Sequence, residues 1–256
     1  MAEHRLIKAL VTEDIGVIEL HRPDRLNALN RQMVAEIREQ AEAFDQDETI
    51  RIIVLKGAGR SFAAGADIGE MMTETPLSME IADPFADWDR LRQIKKPLIA
   101  SVHGFVLGGG FELALHCDLI IAAETTEFGF PEIKLGVMPG AGGTQLLTHV
   151  MGRRKALEWL LLGTSMTAQE AHHFGIVNRT VADEMLEEET MRFAQALAKQ
   201  PPLSVRFIKE AVHRVENIED GLLLERKNFY LLFNSADQTE GMQAFLDKRP
   251  PSFKGE

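Results

Sequence analysis

The period of apolar and polar positions changes several times along the chain, and each change predicts an element. Two short strands are predicted at the start, Arg5–Val11 and Gly16–His21. They are followed by a turn at Arg22-Pro23-Asp24, where proline fixes φ and aspartate favours turns. Between Asn30 and Asp45 the residues Met33, Val34, Ile37, Ala41 and Phe44 recur at helical spacing. The unbroken run Ile50–Lys56 reads as a buried strand stopped by Gly57-Ala58-Gly59. Leu98–Gly104 and Asp118–Ala123 are two further strands, separated by Gly108-Gly109-Gly110 and a short helical run, Phe111–Cys117.

Beyond Gln145 the pattern becomes almost wholly helical. Thr167-Ala168-Gln169-Glu170 carries a capping-box start, and helices are expected near 183–199, 203–215, 219–235 and 238–248. Residues 73–86 read as a mobile or variable loop. Strand–helix alternation followed by helices predicts an α/β core with a C-terminal helical appendage. The boundary is placed between a core of 1–195 and a helical region of 196–256.

Composition narrows the possible functions. Hydrophobic residues make up 45% and charged residues 26%, the balance of a globular chain with a sizeable core. The net charge of −11 argues against nucleic acid and anionic membranes as partners. No window approaches the ~20 apolar residues of a membrane span. The opening MAEHRLIK resembles neither a secretory signal nor a transit peptide. Cys117 is the only cysteine, so an internal disulfide or a multi-cysteine metal site is excluded and a reducing cytoplasm suits the chain. Any phosphate-bearing ligand needs a locally basic patch in this acidic protein.

Several common sites have no signature here. There is no P-loop, no G-x-G-x-x-G, no H-E-x-x-H and no G-x-S-x-G. His172-His173 reads as an exposed helix end rather than a metal site. What remains is two glycine-rich turns and two glutamates. Gly108–Gly110 leads into a helix start, where backbone can approach a ligand closely and free N–H groups and a positive dipole end are presented. Glu112 sits in that first turn, where an acidic residue also serves simply to complement the dipole. Ala63–Asp67 is a second turn able to bring another N–H to the same place, and two converging donors would form an oxyanion hole. Glu132, within Phe130-Pro131-Glu132, reads equally as a site residue or as a solvated loop carboxylate.

Longer motifs decide between these readings. SFAAGADIGEM (Ser61–Met71), KPLIASVHG (Lys96–Gly104), LGGGFELA (Leu107–Ala114) and FGFPEIKLGVMPGAGGTQ (Phe128–Gln145) closely resemble the enoyl-CoA hydratase (crotonase) family. The opening HRPDRLNAL (His21–Leu29) and closing EGMQAFLDKR (Glu240–Arg249) extend the resemblance over essentially the whole chain. It implies a crotonase-like fold of repeated ββα units, with C-terminal helices used in assembly as a homotrimer or a homohexamer (dimer of trimers). By position it implies Glu112 and Glu132 as the catalytic pair and the N–H groups of Ala66 and Gly109 as the oxyanion hole. The N–H of Gly140 is implied to help position the attacking water. The acyl-CoA substrate is expected along Arg25, Leu26, Ala64, Ala66, Asp67, Ile68 and Gly69, with Phe245 and Lys248 arriving from a neighbouring subunit.

No metal and no resident cofactor are implied, since coenzyme A is part of the substrate. Having both glutamates favours hydration of a 2-enoyl-CoA, in fatty-acid or related breakdown such as that of phenylacetate. A 3,2-enoyl-CoA isomerase reaction needs only one well-placed base and is the alternative within the family; an RNA-binding or non-catalytic member is the alternative outside catalysis. Two positions depart from the family pattern: Asp24 stands where some relatives have lysine near the CoA phosphates, and Gly69 where many have lysine.

Overall fold

Ile52, Ile53, Val54 and Leu55 are all buried, which a strand with one solvated face does not allow. Alternate residues serve two different cores. Ile53 and Leu55 join a large cluster with Met33, Ile37, Phe62, Phe111 and Phe128. Ile52 and Val54 join a second one with Ile15, Val17, Ile99, Ile121, Leu186 and Ala194. A sheet covered by helices on both faces follows directly from that run.

The computed structural model describes residues 6–72, 74–213 and 218–256. The chain runs through β1 (Ile7–Thr12), β2 (Ile15–Leu20), a 3₁₀ turn (Pro23–Arg25), α1 (Arg31–Gln46) and β3 (Ile52–Gly57). Next come α2 (Ile68–Met71), α3 (Pro76–Ala82), α4 (Ala86–Leu91), β4 (Leu98–Val102), β5 (Phe105–Leu107), α5 (Gly109–His116), β6 (Leu119–Ala123) and β7 (Glu127–Gly129). A second 3₁₀ helix (Pro131–Leu135) leads to α6 (Gly143–Met151), α7 (Arg153–Leu162), β8 (Ser165–Thr167), α8 (Ala168–His173) and β9 (Arg179–Val181). The remainder is α9 (Leu186–Ala198), α10 (Pro202–His213), α11 (Ile218–Leu232) and α12 (Ala236–Asp247).

The main sheet has the order β1-β2-β3-β4-β6-β9. Only the β1–β2 pair is antiparallel; β2, β3, β4, β6 and β9 run parallel. A smaller sheet, β5-β7-β8, stands beside it, with β5 parallel to β7 and β8 antiparallel to β7. Helix α1 starts where Asn30 accepts the N–H of Met33, and its buried face is Met33, Val34, Ile37, Ala41 and Phe44, the spacing read from the sequence.

Three expectations need correction. Residues 73–86 are not simply a loop. Thr75 and Ser78 cap each other reciprocally at the start of α3, with Pro76 in its first turn. A serine in place of the usual Glu or Gln hid that box. Thr73 itself lies outside the described residues, as do Arg5 of the first predicted strand and residues 214–215 of the predicted 203–215 helix. The stretch after Gln145 is not wholly helical, because β8 and β9 pair with β7 and β6. Each spans three residues, too short for an alternating pattern to register. The predicted strand Leu98–Gly104 ends early, as β4 at Val102, and a separate strand that was not predicted, β5, follows at Phe105–Leu107 in the smaller sheet.

Candidate active site

The pairing of β5 with β7 brings the two glutamates together. Leu107 is in register with Gly129, and the Gly108 N–H donates to the Gly129 carbonyl at 2.8 Å. Helix α5 begins immediately after one strand and the 3₁₀ helix of Pro131–Leu135 after the other. Glu112 and Glu132 therefore leave adjacent strand ends, at the carboxyl edge of the sheet where open α/β folds place their ligands. Behind them Phe111 packs on Phe128 and Phe130, with centroids 5.1 and 4.7 Å away.

Glu112 is only 4% exposed. Its Oε1 accepts the N–H groups of Ala141 and Gly143 at 2.7 and 2.8 Å. Burial raises its pKa, and these two donors pull in the opposite direction by favouring the anion. Glu132 has no comparable donors, and its Oε2 is buried without a partner among the described residues. Burial, with the charge of Glu112 adding to it, pushes the Glu132 carboxyl up to about 7. Burial raises both neighbouring carboxyls, but only Glu112 has backbone donors that oppose the shift, which leaves Glu132 the better placed of the two to carry a proton.

The turn Ala63–Asp67 reaches the same place. Bridges from Leu29 to Ala66 and from Ala63 to Val106 hold it between the opening segment and β5. A Cβ built on Gly109 lies 3.5 Å from the Ala66 nitrogen, so the two residues adjoin. Neither the Ala66 nor the Gly109 N–H donates to an acceptor among the described residues. At Gly110 a Cβ would fall 2.2 Å from the Ala63 carbonyl oxygen, which ties the glycine run to close approach of these two segments.

Other sequence-predicted residues fall into three groups. Leu26, at φ +49°, gives its carbonyl to the Ala64 N–H at 3.0 Å, so Leu26 and Ala64 lie side by side. Asp67 accepts the N–H of Gly69 at 3.2 Å, capping α2, and pairs with Arg22 at 3.0 Å; Ile68 is half exposed. Arg25 and Asp24 are exposed beside this strip. Gly140 sits under the ring of Phe85, and a Cβ on it would be 2.8 Å from Cζ. The structure puts the N–H groups of Ala141 and Gly143, not that of Gly140, on Glu112. Phe245, 83% exposed on α12, and Lys248, its left-handed cap, make no hydrogen bond or ion pair to the glutamate site among the described residues.

Sequence reasoning missed Ala141 and Gly143, although PGAGG was an available signal of a turn able to present successive N–H groups. His172 and His173 end α8 exposed, as expected. No helix among the described residues is long and apolar enough to cross a membrane.

Comparison with known proteins places the chain among relatives. Residues 11–256 match the family described as enoyl-CoA hydratase/isomerase. The chain is similar to a probable enoyl-CoA hydratase of Mycobacterium tuberculosis, 45% identical over 93% of this chain and 94% of that protein. It is 41% identical to the 2,3-dehydroadipyl-CoA hydratase of Escherichia coli over 93% of this chain and 94% of that one. A crystal structure of an enoyl-CoA hydratase subunit I from Geobacillus kaustophilus superposes with a TM-score of 0.98 at 59% identity, covering 100% of both chains.

Proposed function

The chain belongs to the enoyl-CoA hydratase/isomerase family, and from that premise we propose that it is a hydro-lyase adding water to a trans-2-enoyl-CoA. The product is a 3-hydroxyacyl-CoA, formed in fatty-acid or related acyl-CoA degradation. The observation that carries this reading is the unlike pair of carboxyls, Glu112 held by two N–H donors and Glu132 with its pKa near 7.

The chemistry follows from where charge must go. C3 of an enoyl thioester is electrophilic only when the conjugated carbonyl is polarised. In the proposed mechanism Glu112 takes a proton from water as the water oxygen bonds to C3. The π electrons move onto the thioester oxygen as an enolate, which accepts the N–H groups of Ala66 and Gly109. The enolate then collapses as Glu132 gives its proton to C2, on the same face, for syn addition. Losing one such oxyanion donor typically costs ~3–4 kcal/mol of transition-state stabilisation. The partly exposed strip of Arg25, Leu26, Ala64, Asp67, Ile68 and Gly69 is the proposed seat of the CoA moiety, completed by Phe245 and Lys248 of a neighbouring subunit in a homotrimer or homohexamer. The proposed compartment is the cytoplasm, which the single buried Cys117 suits.

Hydration of crotonyl-CoA, followed by loss of the enoyl absorbance with identification of the product, tests the reading. Conversion of a 3-enoyl-CoA without any hydration of the 2-enoyl-CoA would overturn it in favour of an isomerase.

A further inference from the structure

His116 stands one turn beyond Glu112 on α5, so the two side chains leave the helix on one face. Both grip the same short turn. While Oε1 of Glu112 takes the N–H groups of Ala141 and Gly143, Nε2 of His116 lies 2.7 Å from the Ala141 carbonyl oxygen. A carbonyl only accepts, so the ring proton is on Nε2 and the histidine donates. Its Nδ1 is buried without a partner among the described residues. The ring packs against Trp88 of α4, 5.8 Å between centroids. Burial lowers its pKa most and the Ala141 carbonyl opposes that; of the charged groups nearby, Arg92 at the C-cap of α4 lowers it and Asp89 of α4 raises it. The ring is thus held as the neutral Nε2–H form.

The geometry has a mechanical consequence. Two donors on one oxygen form a pivot, about which residues 141–143 could swing. Gly142, at φ +107°, has no side chain to resist this, and a Cβ there would be 3.5 Å from Nε2. Anchoring the Ala141 carbonyl supplies the third fixed point. We propose that His116 is a positioning residue: it locks the Ala141–Gly143 turn so that both N–H groups stay on Oε1 and Oε2 of Glu112 is left free for water. The inference rests on the reading of Glu112 as the base.

The test uses His116→Phe, which keeps an aromatic ring against Trp88 but has no donor, and His116→Gln, whose amide can restore one. In the Phe variant kcat for crotonyl-CoA falls about five- to tenfold, the scale of one hydrogen bond, with KM little changed. The acid limb of the kcat–pH profile moves to higher pH, because Glu112 loses donors that favour its anion; Glu132, which carries its proton on that limb, is unaltered. The Gln variant recovers most of both effects. Where the Phe protein does not fold, His116→Met repeats the donor-free measurement. A folded donor-free variant with unchanged kcat and acid limb overturns the proposal, as does a Gln variant no better than the Phe one. Glu112→Gln, assayed alongside, separates the two levels. If it retains turnover, the reading of Glu112 fails. If it is inactive while His116→Phe is normal, only the positioning role fails.

Discussion

The Cβ position of Gly108 lies 2.6 Å from Oε1 of Glu132, inside contact distance, and 3.7 Å from the Cα of Gly65. The space a side chain would fill is occupied by the carboxyl itself. Gly108 also holds φ at +49°. The first glycine of the run thus does two things: it turns β5 into α5, and it leaves room for Glu132 to come alongside Glu112.

If the two glutamates divide acid and base work, Glu112→Gln and Glu132→Gln should each lower kcat for crotonyl-CoA hydration by at least ~10²-fold. Both substitutions keep size and shape, so the proteins should fold. Steady-state assays with circular dichroism decide this, and near-wild-type turnover in either variant refutes the assignment.

The raised pKa of Glu132 is also a statement about stability. A carboxyl at about 7 in the folded protein and 4.5 when free stabilises the fold fully only below 4.5, and that contribution is lost as pH rises towards and through 7. Above that range the native state carries a buried charge that the glutamine variant lacks. Glu132→Gln should therefore stabilise the fold more at about pH 8 than at about pH 5, by roughly 1–2 kcal/mol of unfolding free energy after allowing for partial solvent screening, read as a larger gain in Tm at the higher pH. An equal gain at both pH values contradicts the shifted carboxyl.

Gly109 tests the proposed oxyanion hole. A Cβ there meets Ala66 at 3.5 Å, an ordinary contact, so the fold tolerates a side chain while the space over the Ala66 N–H fills. Gly109→Val should lose most of its kcat/KM with little loss of Tm. A well-folded, fully active variant removes Gly109 from the site; loss of Tm with activity intact makes it a structural glycine only.

Helices α11 and α12 expose Leu223, Phe229, Tyr230, Leu231, Met242, Phe245 and Leu246, and Phe233 between them is exposed too. A surface helix ordinarily shows water one polar face. Light scattering should therefore give a trimer or a hexamer at micromolar concentration, and a stable species of 28.6 kDa refutes the expectation.

Much of the fold was legible because the long elements carry strong periodicity: α1 by its five buried positions, β3 by an apolar run that needs two covered faces. The three-residue strands β5, β7, β8 and β9 were not, since pairing depends on partners distant in sequence. Those pairings nevertheless build the site, for it is the Leu107–Gly129 register that joins Glu112 to Glu132. The glutamates themselves were visible as residues flanked by glycine turns and by family motifs. The grip on Glu112 was not, because N–H groups leave no letter in a sequence. Gly140 was expected to help position water, a different role; the carboxylate of Glu112 itself is held by Ala141 and Gly143.

That grip has a consequence for how such a site can change. Glu112 is held by main-chain N–H groups of an alanine and a glycine, and almost any codon change leaves an N–H in place. Only proline deletes one outright. Random mutagenesis would therefore score these two positions by steric fit and understate their electrostatic part, which amide-to-ester replacement in the backbone would reveal.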